Sequence, residues 1–204
     1  MIVYIEVKTK LKRHSKKLSA GSPGQSGDFF VPKKAKLILN DRKEFAGTLP
    51  KWVKSDITGE VVFNTGMTGY VESLTDPSYA EQILVFTYPL IGNYGVHKDK
   101  WESDKIHAKA VVISSQMDDW SHPLSDTSFR QWLMDQNVPI LSNVDTRSLT
   151  QYLREKGAMP GLIATKDPNK LKINLKTPLV SIAEPEMFNP KGKKTVILID
   201  CGAK

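Results

Sequence analysis

Short apolar runs recur along the middle of the chain, each closed off by polar or turn-forming residues. They are AKLIL (Ala35–Leu39), GEVVFNT (Gly59–Thr65), QILVFTYP (Gln82–Pro89), KIHAKAVVISS (Lys105–Ser115), VPILSNVD (Val138–Asp145) and GLIAT (Gly161–Thr165). Runs this short, bounded this way and rich in Val, Ile and Phe, read as strands. NDRKE reads as a polar turn and FAG (Phe45–Gly47) as the start of a return strand. A strand cannot satisfy its own backbone N–H and C=O groups, so this many of them must pair into a sheet.

Helical patterns are fewer and come between the strands. Tyr70, Val71 and Leu74 share one face of a short helix, which TDPS must stop, because Pro77 disfavours helix at Asp76. SDTSFRQWLMDQN carries Phe129, Trp132 and Leu133 at helical spacing, with Asp126 or Thr127 as the expected cap. DTRSLTQYLREKG is the clearest helix: Asp145 as N-cap, an apolar stripe of Leu149, Tyr152 and Leu153, and Gly157 as a left-handed stop. A strand-rich first half followed by alternating helices and strands indicates an α+β or three-layer domain.

The 204 residues leave room for one domain or two small ones, and an apolar fraction of 40% can fill a core. No apolar stretch approaches the roughly 18 residues of a membrane helix. MIVYIEV is followed by KTKLKRHSKK rather than by a small-residue cleavage site, unlike a secretory signal. The single cysteine, Cys201, excludes an intrachain disulfide and a cysteine zinc cluster, and it suits a reducing compartment such as the cytoplasm.

Charge is uneven. The net +7 owes much to Lys8, Lys10, Lys12, Arg13, Lys16 and Lys17, opposed in the first 27 residues by Glu6 alone. Ser19–Gly27 (SAGSPGQSG) has linker composition. Residues 1–33 thus read first as a basic flexible extension, second as an organelle-targeting peptide and third as a nucleic-acid arm. Residues 166–193 turn polar and proline-bearing, a connector with at most a short strand at LVSIA (Leu179–Ala183). Residues 194–204 begin something new: KTVILIDCGAK looks like the first strand and turn of an α/β unit, and an unpaired strand of that kind invites edge pairing.

Residue chemistry alone shows no catalytic equipment. His14, His97, His107 and His122 are scattered, and a lone histidine is usually a surface or capping residue. Asp118 and Asp119 would point to opposite faces of a strand; Glu72 and Asp76 fit one helix face but define no pocket. Cys201, at a strand end without a following helix, reads as a small packing residue rather than a nucleophile. No phosphate-binding glycine motif or nucleophile elbow occurs.

Three stretches carry a specific pattern: Gly59–Val96 (GEVVFNTGMTGYVESLTDPSYAEQILVFTYPLIGNYGV), Val144–Ile163 (VDTRSLTQYLREKGAMPGLI) and Val196–Lys204 (VILIDCGAK). In content and order they resemble the small, glutamine-hydrolysing subunit of carbamoyl-phosphate synthetase, over roughly Lys36–Lys204. The resemblance implies a three-layer swivelling β/β/α domain over residues 34–165, followed at 194–204 by the first strand of a class I glutamine amidotransferase domain. It implies a large synthetase subunit as partner, holding ATP and a metal ion, with no cofactor in this chain. It assigns Ser78, the serine of TDPSY, to the glutamine pocket. Gly66, Gly69, Gly92 and Gly95 are assigned to shaping backbone.

The family's nucleophile lies in a G-x-C-x-G-H-Q-like elbow, with His and Glu partners later still. None of these occurs here, and Cys201 matches an aromatic position of the family's turn. No catalytic residue is therefore expected in these 204 residues, which by themselves should not hydrolyse glutamine. Two alternatives stand beside this. One is a docking module whose catalytic triad comes from a separate chain. The other, ranked last, is nucleic-acid binding through the basic arm, since the body shows no lysine stripe interleaved with aromatics.

Overall fold

The computed structural model describes residues 32–115, 120–123 and 125–166, with isolated positions beyond. Seven strands form one mixed sheet: β1 (Pro32–Leu39), β2 (Glu44–Pro50), β3 (Ile57–Asn64), β4 (Gln82–Phe86), β5 (Ala110–Val112), β6 (Ile140–Leu141) and β7 (Met159–Ala164). Their order across the sheet is β2-β1-β7-β3-β4-β5-β6. The β2-β1-β7-β3 side is antiparallel, while β3, β4, β5 and β6 run parallel.

The two outer strands meet. Thr48 of β2 and Ser142, next after β6, form an antiparallel bridge, so the sheet curls into a nearly closed barrel. Such closure removes the unpaired edges that would otherwise recruit other chains.

Alternation along the parallel strands sorts side chains onto two cores, as the two-residue period of a strand requires. Ile83 and Val85 of β4, Ala110 and Val112 of β5, and Leu141 face the barrel interior with Leu37, Leu39 and Ile163. Leu84, Phe86, Val111, Ile113 and Ile140 face outward, where helices α1 (Tyr70–Thr75) and α2 (Phe129–Asp135) cover them with Tyr70, Leu74, Phe129, Trp132 and Leu133. The result is α+β: two β layers around the inner core and a helical layer outside.

Helix α3 (Thr146–Lys156) belongs to the inner core instead. Leu149 and Leu153 enter the barrel, and Tyr152 packs edge-on against Phe45 at 6.4 Å. The Tyr152 hydroxyl donates to Asp41 in the β1–β2 turn. Because β1, β3 and β4 point the same way, α3 lies across the mouth of the barrel at their carboxyl ends.

Three local expectations change. The cap of α2 is Ser128, whose hydroxyl accepts from Gln131 N at 3.1 Å. Asp126 is occupied by Lys98 N at 3.1 Å and Thr127 bridges Val96, so neither is free to cap. Gly157 has the expected positive φ of 87°, but ψ of 170° takes the chain out extended toward β7 rather than left-handed. The runs at Lys105–Ser115 and Val138–Asp145 yield only three and two strand residues; a short barrel stave needs no more. LVSIA lies outside the described residues. Of the terminal run only Val196 and Ile197 are described, and both stand exposed and outside the sheet.

Candidate functional site

Ser78 sits in a 3₁₀ turn, Pro77–Tyr79, that begins where α1 stops. Asp76, before the proline, is extended at φ −74° and ψ 119°. Its carboxylate accepts from Ser78 N at 2.9 Å and from the Ser78 hydroxyl. Ser78 is exposed. With its proton directed to Asp76, the Ser78 oxygen offers lone pairs outward and is set to accept from a ligand N–H.

The turn is braced from behind. Thr75 Oγ1 accepts from Glu102 N at 2.9 Å, the Ser103 hydroxyl donates to Thr75 O, and His107 N donates to Leu74 O at 2.9 Å. Desolvation holds the His107 imidazole below its usual range, so the ring stays neutral near pH 7 against Ser103 Oγ at 3.0 Å.

On the far side of α1 two glycine-bearing loops interlock. Gly69 starts the helix at φ 81° and has no side chain with which to cap it. Tyr94 caps the helix in its place. The tyrosine's hydroxyl oxygen accepts from Gly69 N at 2.8 Å and Tyr70 N at 3.3 Å. The two tyrosine rings stack at 4.2 Å, and Tyr70 donates to Gly95 O at 2.6 Å. Burial pushes both phenols upward, so they remain neutral. Asn64 ties down the neighbouring loop, accepting from Gly66 N at 2.7 Å and donating to Ser73 Oγ at 3.0 Å.

Register places these features at opposite ends of the sheet. Ile57, the first residue of β3, pairs with Ile163 near the end of β7, and Glu60 pairs with Gln82, the first residue of β4. Ser78, just ahead of β4, and Ala164, the end of β7, therefore share the amino end of the parallel strands, two strands apart. The chain leaves the barrel on the Ser78 side.

The other end carries a cleft of about 450 Å³ that no single residue of the sequence announces. It lies between α3 and the segments following β4 and β5, with Arg147, Thr150, Gln151 and Arg154 on one wall and Thr87, Pro89 and Ser114 on the other. The i, i+3, i+4, i+7 spacing of those helix residues is present in the sequence as a polar stripe beside the apolar one.

Other candidates do not assemble. Asp76 lies beyond α1, so Glu72 and Asp76 share no helix face. His97 caps a short turn, accepting from Asp99 N at 3.2 Å. His14, Asp118, Asp119 and Cys201 lie outside the described residues. Among the described residues no three His, Cys, Asp or Glu side chains group to hold a metal ion, and no helix is long and apolar enough to cross a membrane.

Residues 37–163, which span the barrel from β1 into β7, match the family described as carbamoyl-phosphate synthase small chain, CPSase domain. The chain belongs to this family. The multifunctional protein CAD of Squalus acanthias is 45% identical over 189 residues, covering 83% of this chain and 8% of that protein. The carbamoyl phosphate synthase small chain of Caldanaerobacter subterraneus is 43% identical over 173 residues, covering 84% of this chain and 48% of the relative. The arginine-specific small chain of Bacillus subtilis is 42% identical over 172 residues, covering 82% and 48%. The chain thus spans about half the length of the small chains it matches.

Proposed function

We propose that this chain is the amino-terminal part of a glutamine-hydrolysing small subunit of carbamoyl-phosphate synthetase. In this role it docks on the large synthetase subunit, and Ser78 contributes to a glutamine pocket completed by downstream polypeptide that bears the nucleophile. Ammonia released there feeds the large subunit, on which ATP and a metal ion are expected. A cytoplasmic setting completes the proposal, in keeping with a sequence whose one cysteine can form no intrachain disulfide.

The observation that carries this reading is the shared end of the sheet. Polypeptide continuing from Ala164 emerges on the side where Ser78 stands exposed. Glutamine carries an α-ammonium and an amide N–H₂. The Ser78 oxygen, with the Asp76 carboxylate behind it, suits either donor, and the carboxylate favours the cation.

The test uses the complete small subunit with its large partner. Ser78→Ala removes one hydrogen bond to a charged or polar substrate group, which is worth about 1.5–3 kcal/mol when charged. KM for glutamine should rise roughly 10- to 100-fold by that energy, with the ammonia-dependent reaction unchanged because ammonia bypasses the pocket. An unaltered KM for glutamine would remove Ser78 from the proposal.

A further inference from the structure

We propose that the cleft between α3 and the carboxyl ends of β4 and β5 receives an acidic segment of the large synthetase subunit, its carboxylates pairing with Arg147 and Arg154. The inference rests on the docking reading above and adds the face that docks.

Position comes first. Ser78 and the departure of the chain from β7 occupy the amino end of the parallel strands, whereas the cleft opens at the carboxyl end. A second partner can therefore reach the cleft while the glutamine pocket is built at the other end.

Charge comes second. Arg147 and Arg154 are both exposed and make no salt bridge with any described residue. The one carboxylate among the described residues lining the cleft, Asp145, is committed to capping α3: it accepts from Ser148 N at 3.0 Å and from the Ser148 hydroxyl at 2.6 Å. Two guanidinium groups thus line a cleft whose own carboxylate is hydrogen-bonded into the helix cap, and Arg147, though it helps hold Asp145 ionised, makes no direct ion pair with it.

Spacing comes third. Residues seven apart on an α-helix are about 10 Å apart along its axis. Arg154 is held toward β3 over the Phe63 ring at 5.8 Å, while Arg147 flanks the first turn of α3. A ligand using both must offer two anionic groups separated along the helix, as an extended or helical acidic segment does. Between the arginines the two walls are tied together by the Thr87 and Thr150 hydroxyls, 2.6 Å apart. Ser114 Oγ, on the facing wall, is enclosed and has no partner among the described residues. The volume suits inserted side chains better than a flat contact. Planar guanidinium groups bind carboxylates with two parallel hydrogen bonds, which gives such a contact its geometry as well as its charge.

The experiment measures binding of the complete small subunit to the isolated large subunit, at low and high salt, for wild type, Arg147→Glu/Arg154→Glu, Arg147→Gln/Arg154→Gln and the control Lys54→Glu. Charge reversal should weaken binding at least tenfold and flatten its salt dependence, the glutamine pair should fall between, and the control should match wild type. The neutral pair keeps the inference testable should the reversal perturb α3. Wild type that fails to bind would end the docking reading itself. Wild type that binds, with both arginine variants binding equally well, would overturn this inference alone. So would millimolar inorganic phosphate shifting the α3 amide resonances while subunit affinity stays the same in every variant, because the cleft would then be a small-anion site.

Discussion

Thr48 and Ser142, 94 positions apart, exchange two backbone hydrogen bonds, Thr48 N to Ser142 O at 2.8 Å and Ser142 N to Thr48 O at 2.9 Å. This single bridge turns an open seven-stranded sheet into a barrel. It depends on close approach: a Cβ on Gly47 would lie 2.8 Å from Ser142 O and 2.8 Å from Val144 Cγ2. Gly47→Ala should therefore push the seam apart and cost about 1–3 kcal/mol, as overpacking does. Urea denaturation of the folded domain reads this directly, and an unchanged midpoint would mean that the seam yields freely.

The Tyr94 hydroxyl is the only cap that the start of α1 receives among the described residues, since Gly69 supplies none. Tyr94→Phe keeps the ring stacked on Tyr70 but strands the Gly69 and Tyr70 N–H groups. Leaving a buried donor unpaired costs roughly 1–3 kcal/mol. Amide exchange at Gly69 and Tyr70 should accelerate more than exchange in β4. Uniform acceleration would show that the loss is global rather than at the cap.

Most of the fold was legible because the barrel obeys local rules. The apolar runs became strands at the expected places, and Asp145 caps α3 through Ser148 N as its residue type suggests. Asp76 ends α1 because a proline follows it. What local rules could not supply was long-range competition. Ser128 caps α2 because Lys98 and Val96 claim Asp126 and Thr127 first. Barrel closure through Thr48 and Ser142 leaves no local mark on either segment. Ser78 stands out through motif resemblance, not through its chemistry: a serine after Asp-Pro looks like any turn residue until register shows what shares its end of the sheet. The α3 cleft was not legible, because its polar stripe looks like an ordinary solvated helix face.

Tyr152 and Asp41 form a pH-sensitive clasp between α3 and the β1–β2 turn. The Tyr152 hydrogen bond holds the Asp41 carboxyl below its ordinary 3.8, and the same bond raises the Tyr152 phenol above 10.0. A depressed carboxyl contributes stability above its unfolded value and loses it as pH falls through the folded one. The raised phenol contributes below about 10 and loses it as pH climbs through its folded value. Tyr152→Phe should move the Asp41 carboxyl back up in a carbon-detected NMR titration. The stability gap between wild type and variant should be widest between about pH 5 and 9 and narrow on both sides. Because the variant keeps the ring that packs on Phe45, a gap that ignores pH would mean that the hydroxyl contributes without reference to the charge on Asp41, and would remove the clasp.

Asp76 and Ser78 should behave as one unit in substrate binding. The carboxylate fixes both the backbone and the hydroxyl of Ser78, so Asp76→Ala loosens the turn and releases the serine proton from its present acceptor. In the complete subunit, each single alanine variant should raise KM for glutamine. The double variant should raise it by clearly less than the product of the two, because either change removes much of the same contact. Two groups binding independently would give a product, and that result would detach Asp76 from the pocket while leaving Ser78 in it. Measuring ammonia-dependent turnover in the same four proteins separates this coupling from a general loss of folded subunit, since damage to the barrel would depress both activities together.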